Sequence, residues 1–147
     1  MRKFKKPLLV TLFLIVVACI FAGCGANIST EMTIGDGFSG QRVINVKFDS
    51  SDLDEYVTGG IDELKKIGDE NLPSELTYTL TSDDTTSTMS FVLAFSDIDD
   101  YKTKVNSLIS KGSNTELTPE IIYESGDTPF KQGLKFQENF TSFDLLQ

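Results

Sequence analysis

Carboxylates are the side chains with which this chain could most readily do chemistry. It carries 22 Asp and Glu against 13 Lys and Arg in 147 residues, and it has no His and no Trp. Without His it lacks the usual general base of Ser and Cys hydrolases and the commonest transition-metal ligand. What remains is acid chemistry. Two acidic groups, Asp49, Asp52, Asp54 and Glu55, and then Asp97, Asp99 and Asp100, suggest calcium, since a hard cation wants several oxygen ligands. Asp52, Asp54, Asp97 and Asp99 are the weak candidates for that role, but neither group has the Asp-x-Asp-x-Asp-Gly loop spacing. Carboxylates in the first turn of a helix have another reason to exist, as partners of unpaired N–H groups and of the helix dipole. That reading takes precedence, so no metal and no cofactor is expected. A carboxylate pair hydrolysing a glycoside is the other chemical option. The chain has none of the Trp that sugar-binding grooves often use.

The two cysteines carry a different chemistry. Arg2, Lys3, Lys5 and Lys6 precede an uncharged run from Leu8 to Ala22, the order of a secretory signal peptide. Its 15 residues fall short of the roughly 20 that a spanning helix needs. The run ends in Phe21-Ala22-Gly23-Cys24, which resembles the lipobox of bacterial lipoproteins. That resemblance implies cleavage between Gly23 and Cys24, a diacylglyceryl group on the Cys24 sulfur, and a mature chain held on the extracytoplasmic face of the cell membrane. A rival box, Val16-Val17-Ala18-Cys19, has the aliphatic residue usual three places before the cysteine, where Cys24 has Phe21. It would leave Ile20-Phe21-Ala22 at the head of the mature protein, whereas Cys24 is followed by the short, flexible Gly25-Ala26-Asn27. Cys24 is therefore favoured.

Removing residues 1–23 leaves 124 residues, enough for one domain with a core. Four positive charges leave with the signal, so nine Lys and Arg face 22 acids and the formal charge becomes −13. Phosphate binding needs a basic face, so no nucleic-acid partner is expected. The domain beyond Cys24 has no cysteine and must fold on its apolar core alone.

The elements that would position these groups are legible from periodicity. Residues 24–30 read as a tether and 31–147 as a single domain. Ile28, Thr30, Met32 and Ile34 alternate as a half-buried strand, and Ile44, Val46 and Phe48 as a second, joined by the Gly35-Asp36-Gly37-Phe38-Ser39-Gly40 turn. Phe38, at its tip, is either an exposed contact or a core side chain. Ser51 and Asp52 can cap a helix that Gly59-Gly60 divides and Leu72-Pro73 ends. Leu76, Tyr78 and Leu80, and then Met89, Phe91, Leu93 and Phe95, form the clearest pair of strands, with a turn beginning at Asp83-Asp84. Ser96 or Asp97 opens another helix through Tyr101, Val105 and Leu108 to a stop at Lys111-Gly112. Ile121 to Tyr123 and Leu134 to Phe136 are two more strands around a turn-rich Gly126 to Gly133, and Phe143 to Leu146 starts a helical turn.

Strand, Phe, Ser/Asp and an acidic helix start recur after Phe48 and Phe95, with a looser copy after Phe136, at intervals of 47 and 41 residues. The expected architecture is therefore α+β: an antiparallel sheet of about six strands with two helices on one face, built from strand-strand-helix units. The shortened third copy suggests a domain incomplete at its carboxyl end. The lipobox, the Gly35 to Arg42 turn and the Ser96-Asp97-Ile98-Asp99-Asp100 helix start together resemble the LppM-like extracellular domain of bacterial lipoproteins over residues 28 to about 111. That resemblance implies no catalytic residue. The functional expectation is a non-enzymatic surface lipoprotein that meets the membrane through the lipid on Cys24 and binds an envelope component or protein partner. The alternatives are a carboxylate- or calcium-dependent hydrolase, and a spacer for a domain beyond residue 147.

Overall fold

In the computed structural model the described residues are 26–112, 116–128 and 131–146, without the side chains of residues 54, 56, 127, 128 and 131–134. The element order is β1 (Asn27–Ile34), β2 (Gly40–Asp49), α1 (Ser50–Tyr56), α2 (Gly60–Asn71), β3 (Thr77–Ser82), β4 (Thr86–Phe95), α3 (Ile98–Lys111), β5 (Ile121–Thr128) and β6 (Lys131–Glu138). The protein is α+β, with an antiparallel four-stranded sheet in the order β1-β2-β4-β3 and a separate β5-β6 pair. The six strands thus lie in two sheets instead of one. Among the described residues no helix is long and apolar enough to cross a membrane.

The described residues divide into two compact units, one within Met1–Met32 and Arg42–Leu93 and the other within Thr33–Gln41 and Ala94–Gln147. In the first, the alternation of β2 and β4 buries Ile44, Val46 and Phe48 and then Met89, Phe91 and Leu93. Each such side chain contributes roughly 1.5–3 kcal/mol on leaving water. β3 and β4 pair without interruption from Thr77↔Val92 to Ser82↔Ser87. Gly59, at φ 103°, adopts a conformation that side chains resist, and it divides α1 from α2 as the glycine pair predicts. α1 starts at Ser50, ahead of the expected Ser51 and Asp52 cap, because the Ser50 N–H bonds to the Thr85 carbonyl at 3.0 Å and its hydroxyl to Ser87. Arg42, on the apolar face of β2, is 5 % exposed and donates to the Met32 sulfur at 3.6 Å.

The second unit settles the alternative at Phe38 in favour of the core. Phe38 is 1 % exposed, and its ring centroid lies 4.5 Å from that of Tyr123, 5.4 Å from Phe136, 5.5 Å from Phe95 and 5.9 Å from Tyr101. It sits at φ 63°, a left-handed conformation that packing of this quality can hold. Tyr101, 0 % exposed, donates its hydroxyl to Glu138. β5 and β6 run further than expected. Gly126 pairs with Gly133, so the ladder continues to Thr128↔Lys131 where turn residues alone suggested a loop. Beyond β6, Thr141 and Asp144 cap one another, with the Thr141 N–H at 2.7 Å from Asp144 Oδ2, and the turn carries the buried Leu145.

Candidate functional site

Gly23, Cys24 and Cys19 lie outside the described residues. Of the calcium candidates, Asp97 is the N-cap of α3. Its Oδ1 accepts the Asp100 N–H at 2.8 Å and its Oδ2 the Ser96 hydroxyl at 3.0 Å. These bonds, the backbone one foremost, hold its carboxyl below the usual carboxylate range. Asp100 returns the arrangement: Lys104 Nζ donates to it at 2.9 Å and the Ser96 N–H at 3.0 Å, and its carboxyl is likewise lowered, chiefly by Lys104. Asp99 is exposed in the same first turn and Asp52 half-buried in that of α1, while the Asp54 side chain falls outside the described residues. No three acidic, His or Cys side chains among the described residues stand close enough to hold a metal together.

The first unit has a groove of about 440 Å³ between α2 and β3, lined by Ile61, Asp62, Lys65 and Asp69 from the helix and Tyr78, Thr79 and Leu80 from the strand. The Tyr78 hydroxyl lies 2.6 Å from Asp69 Oδ1 and 2.8 Å from the Lys65 carbonyl, sharing its proton between them. Burial first, and then the bond to Asp69 and its negative charge, push the phenol up to about 12. At neutral pH it is a proton donor held in place, not a base. Gly68 permits this approach, since a Cβ there would meet Tyr78 Cζ at 2.8 Å. Sequence periodicity places Tyr78 inward but carries no signal that pairs it with Asp69.

A smaller groove of about 200 Å³ lies at the end of the β3-β4 hairpin, lined by Lys47, Thr81, Ser82, Asp83, Thr86 and Thr88. Asp83 closes the turn by accepting the Thr85 and Thr86 N–H groups, each at 2.8 Å, and these bonds lower its carboxyl. Beside it, three hydroxyls meet: Ser87 Oγ is 2.8 Å from Ser82 Oγ and 3.0 Å from Ser50 Oγ. They satisfy one another around the wholly buried Ser87. No imidazole exists in the chain to activate them.

No family model, no curated protein and no solved structure matches the chain.

Both grooves flank β3, and the face of the sheet opposite the core has a composition unlike the rest of the domain. Thr77, Thr79 and Thr81 are exposed along β3, with half-exposed Thr86, Thr88, Ser90 and Val92 on β4 and Val43 and Asn45 on β2. The Ser90 hydroxyl donates to Asn45 Oδ1 at 2.6 Å. Lys47 and Asp49, both toward the end of β2, are the charged side chains that β2, β3 and β4 place on this face. Hydroxyl and amide groups of this kind can exchange hydrogen bonds with a partner at little desolvation cost, whereas the acids elsewhere repel other anions.

Proposed function

We propose that this protein is an extracytoplasmic lipoprotein, tethered to the cell membrane by a lipidated Cys24, whose folded part is a non-enzymatic binding domain for an envelope component or protein partner. The observation that carries the proposal is Ala22-Gly23-Cys24 at the end of a basic and then apolar leader. A lipid anchor accounts for membrane association in a domain of charge about −13, which anionic lipid would otherwise repel. Each buried methylene of an acyl chain contributes about 0.8 kcal/mol, and two chains hold firmly where one does not. Support for a binding role comes from the Thr, Ser and Asn face of the sheet, which carries charge only at Lys47 and Asp49, in an otherwise strongly acidic domain.

Mass spectrometry of the mature amino terminus tests the anchor. The expected terminus is Cys24 bearing a diacylglyceryl thioether, and Cys24→Ser is expected to leave the signal uncleaved and the protein unlipidated. An unmodified Cys24, or a terminus elsewhere, refutes the lipoprotein assignment. Affinity capture from the native envelope tests the binding role, and failure to recover any component reproducibly favours the spacer.

A further inference from the structure

β3 is the last strand of the order β1-β2-β4-β3, so one side of its backbone bears no strand among the described residues. Which groups face that side follows from the ladder. The Asp83 N–H donates to the Thr86 carbonyl at 2.9 Å, and the β3-β4 register continues from there without a bulge. Bonding alternates along an antiparallel pair, so Thr77, Thr79 and Thr81 exchange bonds with β4, and the N–H and C=O groups of Tyr78, Leu80 and Ser82 point to the open edge. Edge strands are ordinarily protected by charge, proline, a bulge or brevity. Thr-Tyr-Thr-Leu-Thr-Ser has no charge, no proline and no bulge, and it is made largely of residues that favour strands. The opposite edge, β1, carries Glu31.

We infer that the open edge of β3 and the groove beneath α2 form a strand-addition site for an extended peptide segment that presents aliphatic and basic side chains alternately to the groove. Strand addition takes affinity from main-chain hydrogen bonds and specificity from pockets for every second side chain. Here the groove supplies the pockets. Ile61 and Leu80 offer apolar surface, and Asp62 and Asp69 outweigh the single positive charge of Lys65, so the lining is net negative. Side chains on the other side of the added strand extend the row of Thr77, Thr79 and Thr81, where small polar residues fit. Charge selects the occupant: a second copy would set its own Asp62 and Asp69 near these, in a domain of formal charge −13, whereas a basic segment is attracted. The inference rests on the domain being a binding module and is independent of the anchor.

The test titrates the ¹⁵N-labelled whole chain with the peptide acetyl-Thr-Val-Thr-Lys-Thr-Val-amide. Amide shifts centred on Tyr78, Leu80 and Ser82 are expected, with slowed hydrogen exchange at those three positions. The peptide N-methylated at every second residue, in each of the two phases, removes the edge bonds in one phase and is expected to bind at least about tenfold more weakly there. Asp62→Asn is expected to weaken binding roughly two- to fivefold. Three results overturn the inference: unperturbed edge amides at saturating peptide, equal binding of both N-methylated forms, or a concentration-dependent dimer that already protects these amides. An envelope partner whose footprint lies away from β3 would overturn the edge site and leave the binding role intact.

Discussion

Gly68→Ala places a methyl group where the Tyr78 ring now sits, and it sets two opposing effects against each other. In the middle of a helix, alanine is favoured over glycine by about 0.8–1.0 kcal/mol. The new Cβ, however, would stand 2.8 Å from Tyr78 Cζ, 3.0 Å from its oxygen and 3.2 Å from Cε1. Overpacking of this kind costs typically 1–3 kcal/mol. Swinging the ring outward relieves the clash only in part and also loses the bonds to Asp69 and the Lys65 carbonyl, another 1 kcal/mol or so for a partly exposed hydroxyl. The clash wins: a net destabilisation of about 1–3 kcal/mol, or a fall in Tm of roughly 4–12 °C for a domain of this size. Phenolate absorbance locates the cause. The component that is present in the wild type near pH 12 and absent from Tyr78→Phe should move toward the ordinary value of 10.0 in Gly68→Ala. Because the folded phenol is raised, its contribution to stability is complete below pH 10 and is lost as pH rises through about 12. A raised Tm with the late titration unchanged would refute the packing argument.

The remaining predictions concern the second unit. Asp97→Ala removes the N-cap of α3 and is expected to lower Tm by a few degrees at neutral pH, measured by circular dichroism. Since the Asp97 carboxyl is lowered from 3.8, its contribution is present above that pH and disappears as pH falls through the folded value. The gap between mutant and wild type should accordingly close in acid and stay constant from pH 5 to 8. Phe38→Ala empties the centre of four ring contacts and is expected to cost about 3–5 kcal/mol in denaturant unfolding. A cost below 1 kcal/mol would mean that Phe38 is not a core residue.

Periodicity made the strands and helices legible because each element obeys its own repeat. Ile44, Val46 and Phe48 alternate in sequence and are all buried, and Lys111-Gly112 ends α3 where a C-cap glycine should. What periodicity could not supply was partnership between distant residues. Arg42 breaks the apolar alternation of β2, and only the fold brings the Met32 sulfur beside it. Gly126 and Gly133 read as turn residues because propensity ignores the cross-strand partner, yet each faces the other in a continuing ladder. Phe38 is ambiguous in sequence for a related reason: a turn residue is expected at the surface, and its neighbours Tyr123 and Phe136 are 85 and 98 positions away. The acids were the reverse case. Their local reading as helix-start carboxylates needs no tertiary information, and Asp97 caps α3 as that reading requires.

β3 joins the stability argument to the binding argument. Its inward side chains, Tyr78 and Leu80, form the wall of the groove, and the backbone of the same two residues faces the open edge. A phenol that swings out of its contact with Gly68 and Asp69 would enter the space that a bound side chain needs, while leaving the edge amides free to pair. Gly68→Ala should therefore weaken the peptide that carries Val and Lys toward the groove more than one with glycine at those positions, because only the former uses the pockets. Equal weakening of both would mean that the substitution disturbs the strand itself, and that the groove adds no specificity to the edge.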